Sequence, residues 1–296
     1  MEPLLQTVDI TKKYKETTVV NQVNITVNRG EIYGLIGRNG AGKTTLMRMI
    51  LDMTFPTSGY CIYGNHQESH TFRKKVGAMI ENPAIYKNCT AYENLKRYAM
   101  LFGGTKEDIL RILDLVGLGN VKNKKAGEFS LGMKQRLGIG ISLLGNPEFL
   151  ILDEPVNGLD PSGIIEIRNL ILELNQKYNT TFLISSHLLD ELGKIATKYA
   201  ILDRGVLVEE ISAEELQMRC SKKMVIYVDD VDKAHKIVSE TVGPADIETS
   251  EQCLTVFSHI QDSAKINKLL CDHGVQVNQL IIHSETLEQY FMRKVG

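Results

Sequence analysis

A glycine-rich loop constrains the fold of this chain more than any other segment. Its residues have the spacing of a phosphate-binding loop at every fixed position: Gly37, Arg38, Asn39, Gly40, Ala41, Gly42, Lys43 and Thr44, followed by Thr45. The glycines let the backbone turn tightly, so that successive N–H groups converge on an anion. Lys43 supplies a charge for the β- and γ-phosphates of a nucleotide, and Thr44 supplies a hydroxyl ligand for Mg²⁺. The loop predicts a nucleotide-binding site.

The residues on either side of the loop agree with this interpretation. The apolar run Glu31–Ile36 predicts a short buried strand, and Thr45–Leu51 predicts a helix. The loop would then lie at a helix N-terminus, whose dipole also favours an anion. If the loop were only a structural turn, Lys43 and Thr44 would both be coincidences.

A second apolar run ends in two acids. Residues 149–154 read Phe-Leu-Ile-Leu-Asp-Glu, which predicts a buried strand that brings Asp153 and Glu154 to the end of a sheet. Asp153 is suited to Mg²⁺ coordination. Glu154 is placed to act as general base on a water molecule, as ATP hydrolysis requires.

Length, charge and cysteine content limit the possible classes of protein. With 296 residues the chain is expected to form two units, because single cores rarely exceed about 250 residues. A net charge of −2, from 34 basic and 36 acidic residues, argues against nucleic acid as the main partner. Five irregularly spaced cysteines argue for reduced thiols rather than disulfides or a zinc cluster. No window approaches the roughly 18 apolar residues of a membrane span, so we expect a soluble chain without a signal peptide.

The segment between these two motifs resembles a known family. Residues 129–136 read Phe-Ser-Leu-Gly-Met-Lys-Gln-Arg, similar to the signature motif Leu-Ser-Gly-Gly-Gln of ATP-binding-cassette (ABC) ATPases. Phe129, Leu131 and Met133 depart from that motif, whereas Ser130 and Gly132 are retained. The resemblance implies that Ser130 and Gly132 contact the γ-phosphate of ATP held by the opposite subunit.

Other family motifs follow in order and imply further roles. Asp160, in the segment 155–160, corresponds to a dimer-contact position. His187, after Ser185-Ser186, resembles the switch histidine that bridges the γ-phosphate and the catalytic glutamate. Tyr14 stands where family members stack an aromatic ring on adenine. Lys43, Glu154 and His187 are thus the expected catalytic residues.

One substitution points to a branch of the family. Glu81 stands where a glutamine normally serves as a ligand to Mg²⁺, and Asn82-Pro83 follow it. This pattern is similar to the ATPases of bacitracin-resistance and lantibiotic-immunity exporters. The expected metal ligands are therefore Thr44, Glu81 and Asp153, and the expected cofactors are ATP and Mg²⁺.

The resemblance implies an α/β fold of the P-loop NTPase type. The expected ABC domain comprises residues 1–211, with a mixed core sheet, an antiparallel β subdomain and a helical subdomain at about residues 83–146. Residues 212–296 are expected to form a small α+β accessory domain. Their pattern of strand, helix, strand, strand, helix and strand would suit a ferredoxin-like unit, with a last helix at about residues 285–294.

The expected function is that of the ATP-hydrolysing subunit of a bacterial ABC exporter for peptide antibiotics. The implied partners are a second copy of the chain and separately encoded membrane permease subunits, which would hold it on the cytoplasmic face of the membrane. Two alternatives remain. One is a soluble ABC protein without a permease, although the usual double cassette or coiled-coil insertion is not visible. The other is a regulatory cassette with little turnover, suggested by Leu131 and Met133.

Overall fold

The chain divides into two compact units, of which the first ends at Ala213 and the second runs from Glu214 to Lys294. A computed structural model describes residues 2–64, 75–220 and 222–295. Within these ranges, every helix is too short or too polar to cross a lipid bilayer. The observed boundary lies two residues beyond the one expected from the sequence.

Two sheets and a set of helices build the first unit. Its strands are β1 Pro3–Tyr14, β2 Thr17–Val23, β3 Thr26–Asn28, β4 Ile32–Ile36, β5 Ser58–Tyr63, β6 Val76–Met79, β7 Phe149–Asp153, β8 Thr181–Ser186, β9 Lys198–Asp203 and β10 Val206–Ser212. Its α-helices are α1 Lys43–Ile50, α2 Ala91–Phe102, α3 Lys106–Leu115, α4 Leu131–Ser142, α5 Pro161–Tyr178 and α6 Leu189–Leu192.

The central sheet is mixed and has the strand order β10-β9-β4-β8-β7-β6. Strands β9, β4, β8, β7 and β6 run parallel, and β10 pairs antiparallel with β9. Every residue of β4, β7 and β8 is buried, as their nearly continuous apolar sequences require for strands covered on both faces. The second sheet is antiparallel, with β1 at its centre paired to β2, β3 and β5. The α/β class predicted from the sequence is confirmed.

Helices α2, α3 and α4 lie in the region predicted to be helical. Capping boxes fix the starts of two of them: Thr90 with Glu93 for α2, and Thr105 with Asp108 for α3. Gly103 ends α2 in the left-handed conformation, where glycine has no steric penalty. These start and stop signals are local, which is why the sequence pattern locates the helices.

Helix α4 packs unusually close to strand β6. A β-carbon added at Gly77 would lie 1.9 Å from the carbonyl oxygen of Ser142, and one added at Gly138 would lie 2.7 Å from Met79 and from Pro83. At neither position do the backbone angles require glycine. Glycine is required at both because any side chain would force the strand and the helix apart.

The second unit is a separate α+β structure. Its elements are α7 Ala213–Cys220, β11 Lys223–Val228, α8 Val231–Val242, β12 Ile247–Thr249, β13 Cys253–Val256, α9 Ser263–Asp272, β14 Val277–His283 and α10 Leu287–Val295. The four strands form an antiparallel sheet in the order β12-β13-β11-β14. Apolar residues of β11 and β13, among them Met224, Ile226 and Leu254, are buried in one core with residues of α8 and α9. From β11 onward the element order is the predicted one, whereas helix α7 was not predicted, and a ferredoxin-like relationship stays a prediction.

Candidate nucleotide-binding site

The candidate site lies at the carboxyl edge of the central sheet. Strands β4, β8 and β7 are parallel neighbours, so the segments that follow them emerge at the same edge. The glycine-rich loop follows β4, Asp153 ends β7, and His187 follows β8. Ligands of open α/β sheets bind at this edge, and the topology brings residues distant in sequence together there.

The glycine-rich loop encloses a cleft of about 190 Å³. Gly40 and Gly42 have φ angles of 83° and 101°, in the region that favours glycine. A β-carbon at Gly42 would also lie 2.7 Å from the carbonyl oxygen of Val19. The cleft is lined by Val19, Arg38, Asn39, Gly40, Ala41, Gly42, Lys43, Thr44, Thr45 and Glu154. The loop residues predicted to bind a nucleotide, apart from Gly37, thus line one concavity at the N-terminus of α1.

Lys43 points into the loop. Its side chain is only 6% exposed, and its ammonium donates hydrogen bonds to the carbonyl oxygens of Gly37 at 2.7 Å and Arg38 at 3.3 Å. The same Nζ lies 3.2 Å from Oε1 of Glu154. A buried positive charge beside a ring of backbone amides is well suited to bind an anion.

Thr44 and Asp153 offer a pair of oxygen ligands. The hydroxyl of Thr44 donates a 2.8 Å hydrogen bond to Oδ2 of Asp153, which is buried at the end of β7. A hydroxyl and a carboxylate in contact are the hard oxygen donors that Mg²⁺ prefers. The donor chemistry of this pair therefore fits the predicted metal.

Glu154 begins the segment after β7 with a φ angle of 49°, a left-handed conformation that turns its side chain away from the strand direction. Its Oε2 lies 2.7 Å from Nδ1 of His187. Its other oxygen, Oε1, is buried and accepts no hydrogen bond from the described residues, although the Lys43 ammonium is near. A buried carboxylate that His187 holds by one oxygen is placed as a general base for water requires.

Ser185 is a site residue that the motif analysis did not assign. Strand β8 pairs it with Asp153, and its hydroxyl donates a 2.5 Å hydrogen bond to Oδ1 of that acid. The same hydroxyl accepts a 2.9 Å hydrogen bond from the backbone N–H of Glu154. The available signal was a serine two residues before His187, after the apolar run Phe-Leu-Ile of strand β8.

Glu81 is paired with a basic side chain in this structure. Its carboxylate accepts a 2.6 Å hydrogen bond from the guanidinium of Arg48 on α1, and both side chains are exposed. The residue follows β6 with a φ angle of 61°. The structure therefore pairs Glu81 with Arg48, and its role as a metal ligand stays a prediction.

Ser130 and Asp160 begin two helices. The hydroxyl of Ser130 caps α4 by accepting a 3.3 Å hydrogen bond from the N–H of Met133, and Gly132 is buried in the first turn. Leu131 is exposed beside them. Asp160 is the N-cap residue of α5, and a 2.5 Å hydrogen bond from the Ser162 hydroxyl holds the pKa of its carboxyl below the usual value.

Tyr14 ends β1 and remains about half exposed. The ammonium of Lys12 lies 4.9 Å from the centre of its ring. An exposed aromatic ring next to a cation could stack on a base, and the stacking role stays a prediction.

Comparison with known proteins identifies the family of this chain. The ABC transporter family model matches residues 20–157. The bacitracin transport ATP-binding protein BcrA of Enterococcus faecalis is 43% identical over 300 residues, covering 100% of this chain and 97% of that relative. BcrA of Bacillus licheniformis is 40% identical over 301 residues, with coverage of 100% and 98%.

Two further similar proteins match only part of this chain. The lantibiotic transport ATP-binding protein SrtF of Streptococcus pyogenes is 42% identical over 207 residues, which are 70% of this chain and 90% of that relative. A crystal structure of an ATP-binding cassette of an ABC transporter, in its ADP conformation, has a TM-score of 0.66 and 27% identity, and the match covers 73% of this chain and 93% of that one. The family predicted from the signature motif is confirmed. This chain is an ATP-binding-cassette ATPase of the ABC transporter family.

Proposed function

We propose that this chain is the ATP-hydrolysing subunit of a bacterial ABC exporter that gives resistance or immunity to a peptide antibiotic. The observation that carries this proposal is the contact of Lys43 and His187 with the two carboxylate oxygens of Glu154, next to the glycine-rich loop. The full-length similarity to bacitracin transport ATP-binding proteins supports the class of cargo.

ATP would bind in the cleft of the glycine-rich loop. The backbone amides of residues 38–45 would hold the phosphates, and the Lys43 ammonium would exchange the carbonyl oxygens of Gly37 and Arg38 for phosphate oxygens. Tyr14 would stack on the adenine ring.

Mg²⁺ would be held by Thr44 and Asp153, with Glu81 as a third ligand. When bound, it neutralises the negative charge that develops on the phosphate oxygens. In this structure Asp153 is positioned by hydrogen bonds from both Thr44 and Ser185.

Hydrolysis would use Glu154 as the base. Its Oε1, which faces the Lys43 ammonium in this structure, would accept a proton from the attacking water, while the water oxygen bonds to the γ-phosphorus and the bond to ADP breaks. His187 fixes the other carboxylate oxygen and, through its second ring nitrogen, is available to the γ-phosphate.

The working assembly would be a pair of identical chains. Ser130 and Gly132, at the N-terminus of α4, would contact ATP held by the glycine-rich loop of the opposite chain. Asp160, at the start of α5, would lie at the same dimer interface. ATP then joins the chains, and hydrolysis separates them.

The transport path would belong to separately encoded permease subunits, which hold this chain on the cytoplasmic face of the membrane. We assign residues 1–211 to the ABC domain, with its helical subdomain at about 83–146, and residues 212–296 to an accessory domain. Nucleic acid is not among the proposed partners.

Complementation tests the function in cells. A strain that lacks this chain should become sensitive to a bacitracin-type or lantibiotic peptide, and the wild-type chain should restore resistance. The Lys43→Ala variant, produced at the same protein level, should not restore resistance. Full resistance with Lys43→Ala would show that resistance does not depend on ATP.

Turnover tests the alternative of a cassette that binds ATP with little hydrolysis. We expect Mg²⁺-ATP turnover by the purified chain with its permease, abolished in Glu154→Gln. Tight ATP binding with equal, background turnover in both forms would favour the regulatory alternative.

A further inference from the structure

Strand β14 is an edge strand of the sheet in the second unit. Among the described strands it pairs only with β11, on one side. The backbone N–H and C=O groups on its outer side therefore have no strand partner in the described part of the chain. Such a row of unpaired groups is a template for pairing with another strand.

The two edges of this sheet differ sharply. The opposite edge strand, β12, has three residues and carries Glu248, and both short length and charge discourage pairing. Strand β14 has seven residues, Val-Asn-Gln-Leu-Ile-Ile-His, with no Asp, Glu, Lys, Arg or Pro. Strand β14 therefore lacks the short length, the charged side chains and the proline that usually keep an edge strand from pairing with another chain.

The side chains of β14 leave this edge accessible. Asn278 and Gln279 are exposed, and Ile282 is 47% exposed although it is a large apolar residue. Leu280 packs against the core of the unit and fixes which face of the strand is inward. A neighbouring strand could thus approach β14 without displacing its core contacts.

We propose that β14 pairs antiparallel with β14 of a second copy of this chain, joining the two four-stranded sheets into one. In such a two-fold contact residue i of one strand faces residue j of the other and residue j faces residue i, so a strand with charges of one sign would repel its copy. Strand β14 contains no acidic residue, lysine or arginine, and its one histidine, His283, is its last residue. Its neutrality makes a second copy an acceptable occupant, with Ile282 adding apolar contact.

This contact is weak by itself. Pairing of two short edges buries much less than the roughly 1,600 Å² of a stable interface. Its strength would rise when the two chains are already held together elsewhere, because the second contact is then intramolecular. The pairing itself needs no nucleotide, so its test is independent of ATP binding and hydrolysis.

The test is sedimentation equilibrium of the full chain without nucleotide. Wild type should show a reversible monomer–dimer equilibrium. Asn278→Lys/Ile282→Lys, which places like charges across the two-fold axis, should raise the dissociation constant about tenfold. Asn278→Glu/Ile282→Glu should do the same. The control Gln252→Lys, in the exposed turn before β13, should associate like wild type.

An equimolar mixture of the Lys and Glu double variants gives the decisive result. Opposite charges should restore association to at least the wild-type level, which misfolded variants could not do. Hydrogen exchange of the β14 amides should also slow as the concentration of wild-type chain rises. A wild-type chain that stays monomeric at every concentration would overturn the proposal, and so would Lys variants that associate as wild type does.

Discussion

The hydroxyl of Ser185 donates a 2.5 Å hydrogen bond to the carboxylate of Asp153, its register partner on the neighbouring strand. Through the same oxygen it accepts a hydrogen bond from the N–H of Glu154. One small side chain on β8 thereby sets the position of both acids at the end of β7.

Ser185→Ala should therefore weaken both folding and turnover. Asp153 is 2% exposed, and loss of a donor to a buried carboxylate costs about 1–3 kcal/mol in the free energy of unfolding. Urea unfolding and the ATP turnover rate measure the two effects. Ser186→Ala is the matched control, because Ser186 accepts its hydrogen bond from Leu188 instead. Equal results for both variants would contradict the positioning role.

Glu154→Gln should retain ATP binding and lose turnover. The amide occupies the same place beside His187 but cannot take a proton from water, and loss of a positioned base lowers rates by about 10²–10⁴. Dimers trapped by ATP should appear in size-exclusion chromatography. Lys43→Ala should prevent that trapping by weakening ATP binding. A Glu154→Gln chain that remains monomeric at saturating ATP would argue against a site shared by two subunits.

Glu81 should make ATP affinity depend steeply on Mg²⁺. With the metal its carboxylate is a strong ligand, whereas without the metal it repels the phosphates. Glu81→Gln should flatten this dependence by about 1 kcal/mol, or fivefold in affinity. ATP titrations at several fixed Mg²⁺ concentrations provide the measurement.

Arg48→Gln adds a second arm to that experiment. Arg48 and Glu81 are 40% and 56% exposed, and such surface pairs contribute about 0–1 kcal/mol, so Mg²⁺ can displace Arg48 readily. Freeing Glu81 should make the Mg²⁺ dependence at least as steep as in wild type. Identical dependence in wild type, Arg48→Gln and Glu81→Gln would mean that Glu81 is a surface acid that does not reach the metal.

Ser130→Asp should separate helix capping from ATP-dependent pairing. Aspartate caps helices as well as serine does, so the melting temperature should change little. Its negative charge would face the γ-phosphate held by the opposite chain, and ATP-dependent dimerisation should weaken at least about tenfold. Ser130→Thr, which keeps a neutral hydroxyl cap, is the control. Normal dimerisation of Ser130→Asp would exclude contact between Ser130 and ATP.

The second unit should lose stability in acid through Glu285. Two hydrogen bonds from Arg293, at 2.8 and 2.9 Å, hold the pKa of this carboxyl below its usual value. A lowered pKa in the folded state adds stability above the unfolded value, and that stability disappears as the pH falls through the folded value. Glu285→Gln should thus lower the melting temperature by a few degrees at pH 7 and have no effect at pH 2. Thermal unfolding by circular dichroism at both pH values is the check; an equal shift at both would assign the effect to packing.

The sequence predicted those parts of the site that follow from local pattern and topology. Buried apolar runs located β4 and β7, and parallel strands necessarily bring Lys43 and Asp153 to one edge. The hydroxyl of Ser185 was overlooked because its importance depends on the register between β7 and β8. Register is a tertiary property that a single sequence does not reveal.

The partner of Glu81 was unpredictable for a related reason. Its ion pair with Arg48 joins residues from α1 and from the segment after β6, and the choice of this partner depends on the backbone direction at Glu81.

Element boundaries differed slightly from the predicted ones for local reasons. Glu154, included in the predicted strand, has a left-handed backbone that turns the chain out of the extended conformation, so β7 ends at Asp153.

The close packing of Gly77 and Gly138 has a mechanical consequence. Strand β6 leads directly to Glu81, and α4 begins beside Ser130, so the two glycine contacts fasten one loop to the other. Because the strand and the helix are packed this closely, we expect a displacement of the Glu81 segment to shift α4, and Ser130 with it. With the proposed contact of Ser130 to ATP on the opposite chain, a displacement in one subunit would then reach the ATP molecule bound to the other.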